Sequence, residues 1–206
     1  MNASEVRIAS TRAITHSEGP GARFAIWVQG CTLKCEGCFN PHFWGDKGGS
    51  LRSVDSLLNE VLMAKQTNPQ IEGVTFLGGE PFEQAESLAQ LASAFQSNDL
   101  STMVFSGFTL NELLDTNSKD YEKRKDFLSS IDLLVDGRYE EDNLDLQRPW
   151  VGSKNQIFHF LTERYAEETL FVDARDSLEI TVFSTGALQI NGWASTAQLE
   201  DLLEDL

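Results

Sequence analysis

The chain has 206 residues, 41% of them hydrophobic, which is enough for one domain with a sizeable core. Its 32 acidic and 16 basic residues give a formal net charge of −16, which repels phosphates and disfavours DNA or RNA as a partner. No stretch reaches the ~18 apolar residues of a transmembrane helix, and the first residues do not resemble a signal peptide. Three cysteines without a disulfide framework fit a reducing cytoplasm.

Strands and helices alternate through most of the sequence, and this alternation predicts parallel βαβ units. The predicted strands are residues 5–10 (an edge strand), 24–29 (the first buried strand), 73–77, 102–105 and 131–135. The predicted helices begin after Ser53, which can cap a helix, and continue at residues 88–95 and from residue 110. Polar turn residues predict a loop at 15–23, and a long loop at 30–50 is of the length that is usually functional.

The pattern changes after Gln156. Residues 169–172 are predicted to form a further strand, and alternating apolar residues on either side of a turn at 184–186 predict a β-hairpin over residues 178–190. Residues 195–198 read as a capping box that begins a final helix. We therefore predict a core of residues 1–164 and a C-terminal extension of residues 165–206, made of the last strand, the hairpin and the helix.

All three cysteines lie within eight residues, in the pattern C-x3-C-x2-C formed by Cys31, Cys35 and Cys38. They are too close together for unstrained disulfides, and thiolates select zinc or an iron–sulfur cluster. Both groups usually take four protein ligands. His42 follows at the spacing of a fourth zinc ligand, so a closed structural zinc site is one interpretation. In the other, three ligands leave one iron of a cluster open to a substrate or cofactor.

A second motif, G-G-E-P at residues 78–81, follows the next buried strand. The cysteine motif followed by G-G-E-P resembles the radical S-adenosylmethionine (SAM) superfamily. Further segments resemble the activating enzymes of anaerobic ribonucleotide reductase and, more distantly, pyruvate formate-lyase activase. These segments are E-G-P-G at 18–21, C-E-G-C-F-N-P at 35–41, L-V-D-G-R at 134–138 and G-S-K-N-Q at 152–156. The resemblance covers roughly residues 14–160 and leaves residues 165–206 without a counterpart.

The resemblance implies a fold, a cofactor and partners. The fold would be a partial (βα)6 barrel of the radical SAM type, with the hairpin and helix appended. Cys31, Cys35 and Cys38 would hold a [4Fe–4S] cluster whose fourth iron binds SAM, and reductive cleavage of SAM would give a 5′-deoxyadenosyl radical. The partner would be a glycyl radical enzyme, and the electron donor would be reduced flavodoxin or ferredoxin.

The resemblance also implies residues that bind SAM. Gly78, Gly79 and Glu80 would meet the SAM ammonium group, because glycines let the backbone approach a ligand closely. The remaining positions are Phe39 and Asn40 beside the cluster, Ser106 on the ribose or carboxylate, Asp136 and Arg138 on the polar groups of SAM, and Asn155 and Gln156, which would orient SAM or the peptide. Two structural roles remain open as alternatives to SAM binding. Ser106 could cap the end of its strand, and Asp136 could form an ion pair with Arg138.

Three functions remain open at this point. The first is an activase that takes a hydrogen atom from a backbone glycine of a large partner, and the segments quoted above favour it. The second is a radical SAM enzyme that acts directly on a small molecule or nucleotide, as 7-carboxy-7-deazaguanine synthases do. The third is a non-enzymatic zinc or iron–sulfur protein, which metal analysis and SAM binding would distinguish from the other two.

Overall fold

The computed structural model describes residues 4–171, 178–182, 185–186 and 188–192. Within these residues the strands are β1 (Glu5–Thr15), β2 (Ala22–Val28), β3 (Ser50–Ser53), β4 (Ile71–Gly78), β5 (Ser101–Phe105), β6 (Leu133–Asp136), β7 (Ile157–Phe160), β8 (Leu178–Val182) and β9 (Leu188–Gly192). The α-helices are α1 (Val54–Thr67), α2 (Ala85–Gln96), α3 (Leu110–Leu113), α4 (Tyr121–Leu128) and α5 (Glu167–Leu170). None of the helices in the described part of the chain is long and apolar enough to cross a membrane.

The central sheet has seven strands in the order β3-β1-β2-β4-β5-β6-β7. Strands β2, β4, β5 and β6 are parallel, as the alternation of strands and helices predicts, whereas β1, β3 and β7 pair antiparallel with their neighbours. The six parallel strands of a (βα)6 barrel are therefore not confirmed, and the described strands form an open mixed sheet. Parallel pairing needs a crossover of a dozen or more residues, and the β1–β2 connection, residues 16–21, is too short for one.

Strand β1 is also not the edge strand that was predicted. Residues 50–53 lie at the end of the long loop and form β3, which pairs with the first residues of β1. The long loop therefore ends by returning to the sheet, so both ends of the loop are attached to the sheet.

Helices α1 to α4 pack on one face of the sheet, whereas Leu170 of α5 packs against the other face. The Ser53 hydroxyl accepts a hydrogen bond from the Ser56 amide, which confirms the predicted cap of α1. The apolar stripes of α1 and α2 are buried, with Leu57 and Leu88 fully inaccessible to solvent. Alternate residues of the parallel strands meet these helices, and the intervening residues point to the opposite face, where the cavity described below lies.

Arg23 closes the amino-terminal end of that opposite face. Its guanidinium is completely buried and donates to the Thr75 hydroxyl at 2.6 Å, to the Val74 carbonyl at 2.7 Å and to the Tyr165 hydroxyl at 3.0 Å. Burial lowers the pKa of Arg23, and Tyr165 opposes this shift. Because a buried guanidinium must have its donors satisfied, these contacts fix β2, β4 and the segment before α5 to one another.

The C-terminal extension departs from the prediction at one point. Residues 169–170 belong to the short helix α5, so the strand predicted at 169–172 is wrong. Glu167 and Glu168 in the first turn favour a helix start through the helix dipole. The hairpin is confirmed as β8 and β9, which pair antiparallel from Leu178 opposite Gly192 to Val182 opposite Leu188. The helix predicted from the capping box at 195–198 lies outside the described residues.

Replacing Arg23 by Met should lower the free energy of unfolding by about 3 kcal/mol, because buried hydroxyl and carbonyl groups lose charged donors. Arg52→Met is the matched control, since Arg52 forms a surface ion pair with Glu60 at 2.7 Å, and it should cost less than about 1 kcal/mol. Urea unfolding followed by circular dichroism measures both. Equal costs for the two variants would show that Arg23 does not hold this end of the sheet together.

Candidate functional site

The loop that carries the cysteines begins where β2 ends and folds back on itself. The Gly30 amide donates to the Phe43 carbonyl at 2.8 Å, and the Cys31 amide donates to the Trp44 carbonyl at 3.1 Å. The side-chain amide of the buried Gln29 donates to the Gly45 carbonyl at 2.7 Å. The loop is therefore closed by its own backbone, with the three cysteines between its two ends.

The three cysteines are free thiols and are partly exposed. Burial raises the pKa of Cys31, opposed by the Lys34 and Leu33 amides. Burial also raises the pKa of Cys35, and a hydrogen bond from the Tyr139 amide opposes the shift. Three unpaired thiols on one short loop form a donor set that fits an iron–sulfur cluster, in which thiolates bind the irons of one cluster.

The four-ligand zinc interpretation requires Cys31, Cys35, Cys38 and His42 to meet at one ion. Among the described residues, the structure brings no three His, Cys, Asp or Glu side chains together in a way that could hold one metal ion. The same finding applies to the three thiols, which would have to turn toward one another to bind either a zinc ion or a cluster. The His42 ring lies against the Phe43 ring with 4.1 Å between centroids.

The G-G-E-P motif holds the start of this loop against the sheet. The Gly79 amide donates to the Val28 carbonyl and the Glu80 amide donates to the Gly30 carbonyl, both at 2.8 Å. A Cβ atom on Gly79 would lie 2.2 Å from the Gly30 oxygen, which no side chain tolerates. The second glycine of the motif is therefore required by the close approach of two backbones.

The Glu80 carboxylate joins the carboxyl ends of β4 and β5. It accepts hydrogen bonds from the Phe82 amide, the Ser106 hydroxyl and the Gly107 amide, each at 2.9 Å, and its residue is 1% exposed. Burial raises the pKa of Glu80 to about 7, against the lowering effect of these donors. The side-chain polar atoms of Glu80 and Ser106 therefore form hydrogen bonds with each other and with the backbone.

A second carboxylate ties the loop to the short helix after the G-G-E-P motif. Glu83 accepts a hydrogen bond from the Thr32 amide at 2.9 Å and another from the Thr32 hydroxyl. Thr32 directly follows Cys31, so this contact fixes the backbone at the first cysteine.

Asp136 and Arg138 both lie at the carboxyl end of β6 but have different partners. Asp136 is buried, accepts a hydrogen bond from the Leu110 amide at the start of α3 and lies 2.9 Å from His159 Nε2. Arg138 donates to both oxygens of Glu112 at 3.1 Å. The Asp136–Arg138 ion pair, which was the structural alternative to SAM binding, is therefore not formed. Two separate contacts instead attach α3 to this end of the sheet.

Asn155 and Gln156 connect two loops at the same edge. The Asn155 amide group donates to the Arg138 carbonyl at 2.7 Å, and the Gln156 amide group donates to the Gly137 carbonyl at 3.2 Å. The Gln156 side-chain oxygen accepts from the Gly152 amide at 2.7 Å. The buried Asn155 side-chain oxygen has no hydrogen-bond partner among the described residues.

A cavity of about 590 Å³ lies beside the cysteine loop, on the sheet face opposite helices α1 to α4. Of the predicted site residues, it is lined by Cys38, Phe39, Asn40, Gly78 and Gln156. The predicted residues that do not line it are Cys31, Cys35, Gly79, Glu80, Ser106, Asp136, Arg138 and Asn155. The structure thus separates the predicted residues into three groups: those that line the cavity, the two cysteines Cys31 and Cys35 on the loop beside it, and those whose contacts hold the surrounding segments in place.

Several residues that line the cavity were not predicted as site residues. Trp27, Leu77 and Phe105 project from β2, β4 and β5, and strand alternation, which places residues two apart on one face, could have identified them. The other such residues include Glu18, Tyr139 and Trp150, together with Leu178, Asn191 and Gly192 of the hairpin. The hairpin residues carry no sequence signal for this location, because only the fold brings residues 178–192 next to β1.

Comparisons with known proteins show which family this chain belongs to. A family model described as a 4Fe-4S single cluster domain matches residues 17–159. The anaerobic ribonucleoside-triphosphate reductase-activating protein of Enterobacteria phage T4 is 30% identical over 144 residues, which are 67% of this chain and 83% of that protein. The protein of the same name from Vibrio cholerae is 30% identical over 148 residues, which are 70% of this chain and 91% of that protein.

Two further known proteins match this chain over a smaller part of their own length. A pyruvate formate-lyase-activating enzyme of Clostridium pasteurianum is 30% identical over 142 residues, which are 66% of this chain and 54% of that protein. The crystal structure of QueE from Escherichia coli has a TM-score of 0.39 and 20% identity, and the match covers 51% of this chain and 54% of that one. A likeness this weak supports no inference about the site.

Replacing Glu80 by Gln should lower the free energy of unfolding by about 1–3 kcal/mol, because the new amide group must face at least one of the three hydrogen-bond donors. Glu122→Gln on the exposed side of α4 is the control and should stay within about 0.5 kcal/mol of the wild type. Denaturant unfolding of both variants gives the comparison. A Glu80→Gln variant as stable as this control would show that the carboxylate does not join β4 to β5.

Proposed function

Since this chain belongs to the 4Fe-4S single cluster domain family of radical SAM activating proteins, we propose that it cleaves SAM and activates a glycyl radical enzyme. The observation that carries the proposal is the position of the cysteine loop. The G-G-E-P backbone holds this loop at the carboxyl ends of the parallel strands, beside a cavity that Cys38 and Gly78 both line. Active sites of barrel-like α/β folds lie at this end of their strands.

Cys31, Cys35 and Cys38 would hold the cluster. When bound, a [4Fe–4S] cluster with three cysteine ligands supplies an open iron for SAM and the electron that cleaves it to a 5′-deoxyadenosyl radical. The backbone contacts at Gly30 and Cys31, and the Glu83–Thr32 contact, fix the loop before the cluster binds. The loop backbone would then keep its position, while the three thiol side chains, which do not converge on one point in the described structure, would turn toward the irons.

The residues predicted to bind SAM would have two kinds of role. Phe39, Asn40, Gly78 and Gln156 line the cavity and would touch SAM or the substrate. The other predicted residues would position the segments around the cavity. Their observed contacts join the cysteine loop, α3 and the loop of residues 137–156 to the strand ends. These residues are Gly79, Glu80, Ser106, Asp136, Arg138 and Asn155.

The apolar wall of the cavity would protect a reactive radical. Trp27, Leu77 and Phe105 present apolar surface from three adjacent strands, which excludes water and its side reactions from the site. On the cysteine-loop side, Phe39 packs edge-on against Tyr139 with 5.4 Å between ring centroids. The hydrogen atom would come from a glycine of the partner enzyme, and reduced flavodoxin or ferredoxin would supply the electron.

The protein reconstituted anaerobically with iron and sulfide, then reduced and given SAM, should form 5′-deoxyadenosine, measured by liquid chromatography. Cys35→Ala should abolish both the cluster absorbance and the product, because the cluster loses one of its three ligands. Met63→Ala, at a side chain that is 67% exposed on α1, is the control and should retain both. Product formation by Cys35→Ala at the wild-type rate would contradict the proposal.

The activase role makes a separate prediction. Incubated with SAM, reductant and a purified anaerobic ribonucleoside-triphosphate reductase, the reconstituted protein should produce the electron paramagnetic resonance signal of a glycyl radical. Replacing the radical-bearing glycine of that partner by alanine should remove the signal. SAM cleavage without any glycyl radical would favour a direct-acting enzyme over an activase.

A further inference from the structure

The cysteine loop has a second side, which does not face the cavity. Leu33 packs against the backbone just after β5, since a Cβ atom on Gly107 would lie 2.4 Å from Leu33 Cδ1. The Tyr139 amide, just after β6, donates a hydrogen bond to the Cys35 thiol. Leu33 and Cys35 do not line the cavity, whereas Cys38 does. The first part of the loop therefore borders the ends of β5 and β6.

Two arginines lie beside this part of the loop, on the ring of Phe108. The guanidinium carbon of Arg124 is 4.5 Å from the ring centroid, and that of Arg138 is 6.0 Å from it, distances at which cation and ring attract each other. Phe108 directly follows Gly107, so both guanidiniums lie close to the loop. Burial raises the pKa of Cys35, and the charge of Arg138 is among the influences that oppose this shift.

The charges on this side of the loop do not cancel. Arg138 is paired with Glu112, and their side chains are 44% and 41% exposed. Arg124 donates to the Glu112 carbonyl at 3.4 Å but has no ion-pair partner among the described residues. Lys34, which is exposed and directly precedes Cys35, also forms no ion pair within the described part of the chain. A chain of formal net charge −16 thus has a local positive excess here.

We call Lys34, Arg124 and Arg138 the cationic face. The adjoining surface is acidic, because Glu36, Glu140, Glu141 and Asp142 line a separate pocket there. A negatively charged protein is repelled by that surface and by the molecule as a whole, and it is attracted at the cationic face. Such a charge distribution selects one direction of approach and speeds association.

We propose that the cationic face docks a one-electron carrier protein whose redox group is surrounded by acidic side chains. The carrier loses one electron, the cluster gains it from the Cys35 side of the loop, and no atom is transferred. The inference rests on the proposed function, because it requires a cluster at the three cysteines. Redox encounters of this kind bury little surface, and docking at this face leaves the cavity open to SAM and to a glycine-bearing partner.

The test uses the full chain reconstituted with iron and sulfide, and the probe is a purified flavodoxin with an acidic surface. Isothermal titration calorimetry measures the affinity for the oxidised flavodoxin, which requires no bound cluster. Stopped-flow absorbance measures the rate at which reduced flavodoxin reduces the cluster. Photoreduced deazariboflavin, a small uncharged reductant, reduces the cluster without a docking surface and serves as the comparison.

Arg124→Glu should weaken flavodoxin binding and slow the reduction of the cluster by flavodoxin about tenfold at low salt, because an attractive charge becomes repulsive. Lys34→Gln, at an exposed loop position, should act in the same direction without altering α4. Added salt should reduce both differences from the wild type. Reduction by deazariboflavin should be the same in all of these proteins.

Arg164→Glu is the matched control. Arg164 forms a surface ion pair with Asp99, which lies just before β5 and therefore at the opposite end of that strand from Phe108. This variant has the same change in net charge as Arg124→Glu, and it should bind flavodoxin and be reduced by it as the wild type is.

The inference would be overturned if the wild type did not bind flavodoxin, or if Arg124→Glu and Lys34→Gln bound it as tightly as the wild type. An equal loss in Arg164→Glu would overturn it too, because net charge rather than the cationic face would then decide binding. So would an equal loss of rate with deazariboflavin. A wild type that docks flavodoxin at this face but does not cleave SAM would instead contradict the proposed function, since docking is measured without SAM.

Discussion

The candidate site depends on the contact between the G-G-E-P backbone and the first residues of the cysteine loop. Two backbone hydrogen bonds at 2.8 Å, from Gly79 and Glu80, hold the loop at the point where β2 and β4 end together. A side chain at Gly79 would collide with the Gly30 oxygen, so the contact exists only with glycine. Because Cys31 follows Gly30 directly, this contact fixes where a cluster could form.

The two faces of the sheet have different roles: one carries the main core and the other carries the cavity. One face packs against α1, α2 and α4 and forms the main hydrophobic core. The other is closed at its amino-terminal end by the buried Arg23 and opens at its carboxyl end into the cavity. Parallel strands bring their carboxyl ends to one edge, which is why segments distant in sequence, such as Cys38 and Gln156, line the same space.

The local pattern of the sequence predicted most elements but not how all of them pair. Helix α1 with its Ser53 cap, the four parallel strands and the hairpin follow from periodicity and turn residues. The antiparallel pairing of β1, β3 and β7 does not, because pairing direction depends on connection length and on distant partners. Among the residues that were predicted for the site, Cys38 and Gly78 do line the cavity. Asp136 was also predicted to bind SAM but does not line the cavity, since strand alternation turns its side chain toward the start of α3.

We propose that three cysteines, on a loop whose backbone is held in place at Gly30, Cys31 and Thr32, bind a cluster with one iron open to SAM. Mössbauer spectroscopy of protein reconstituted with iron-57, before and after addition of SAM, tests it most directly. We expect a [4Fe–4S] spectrum in which the signal of one iron shifts when SAM is added while the other three stay unchanged. A spectrum that SAM does not alter, or a stoichiometric zinc in place of the cluster, would contradict it.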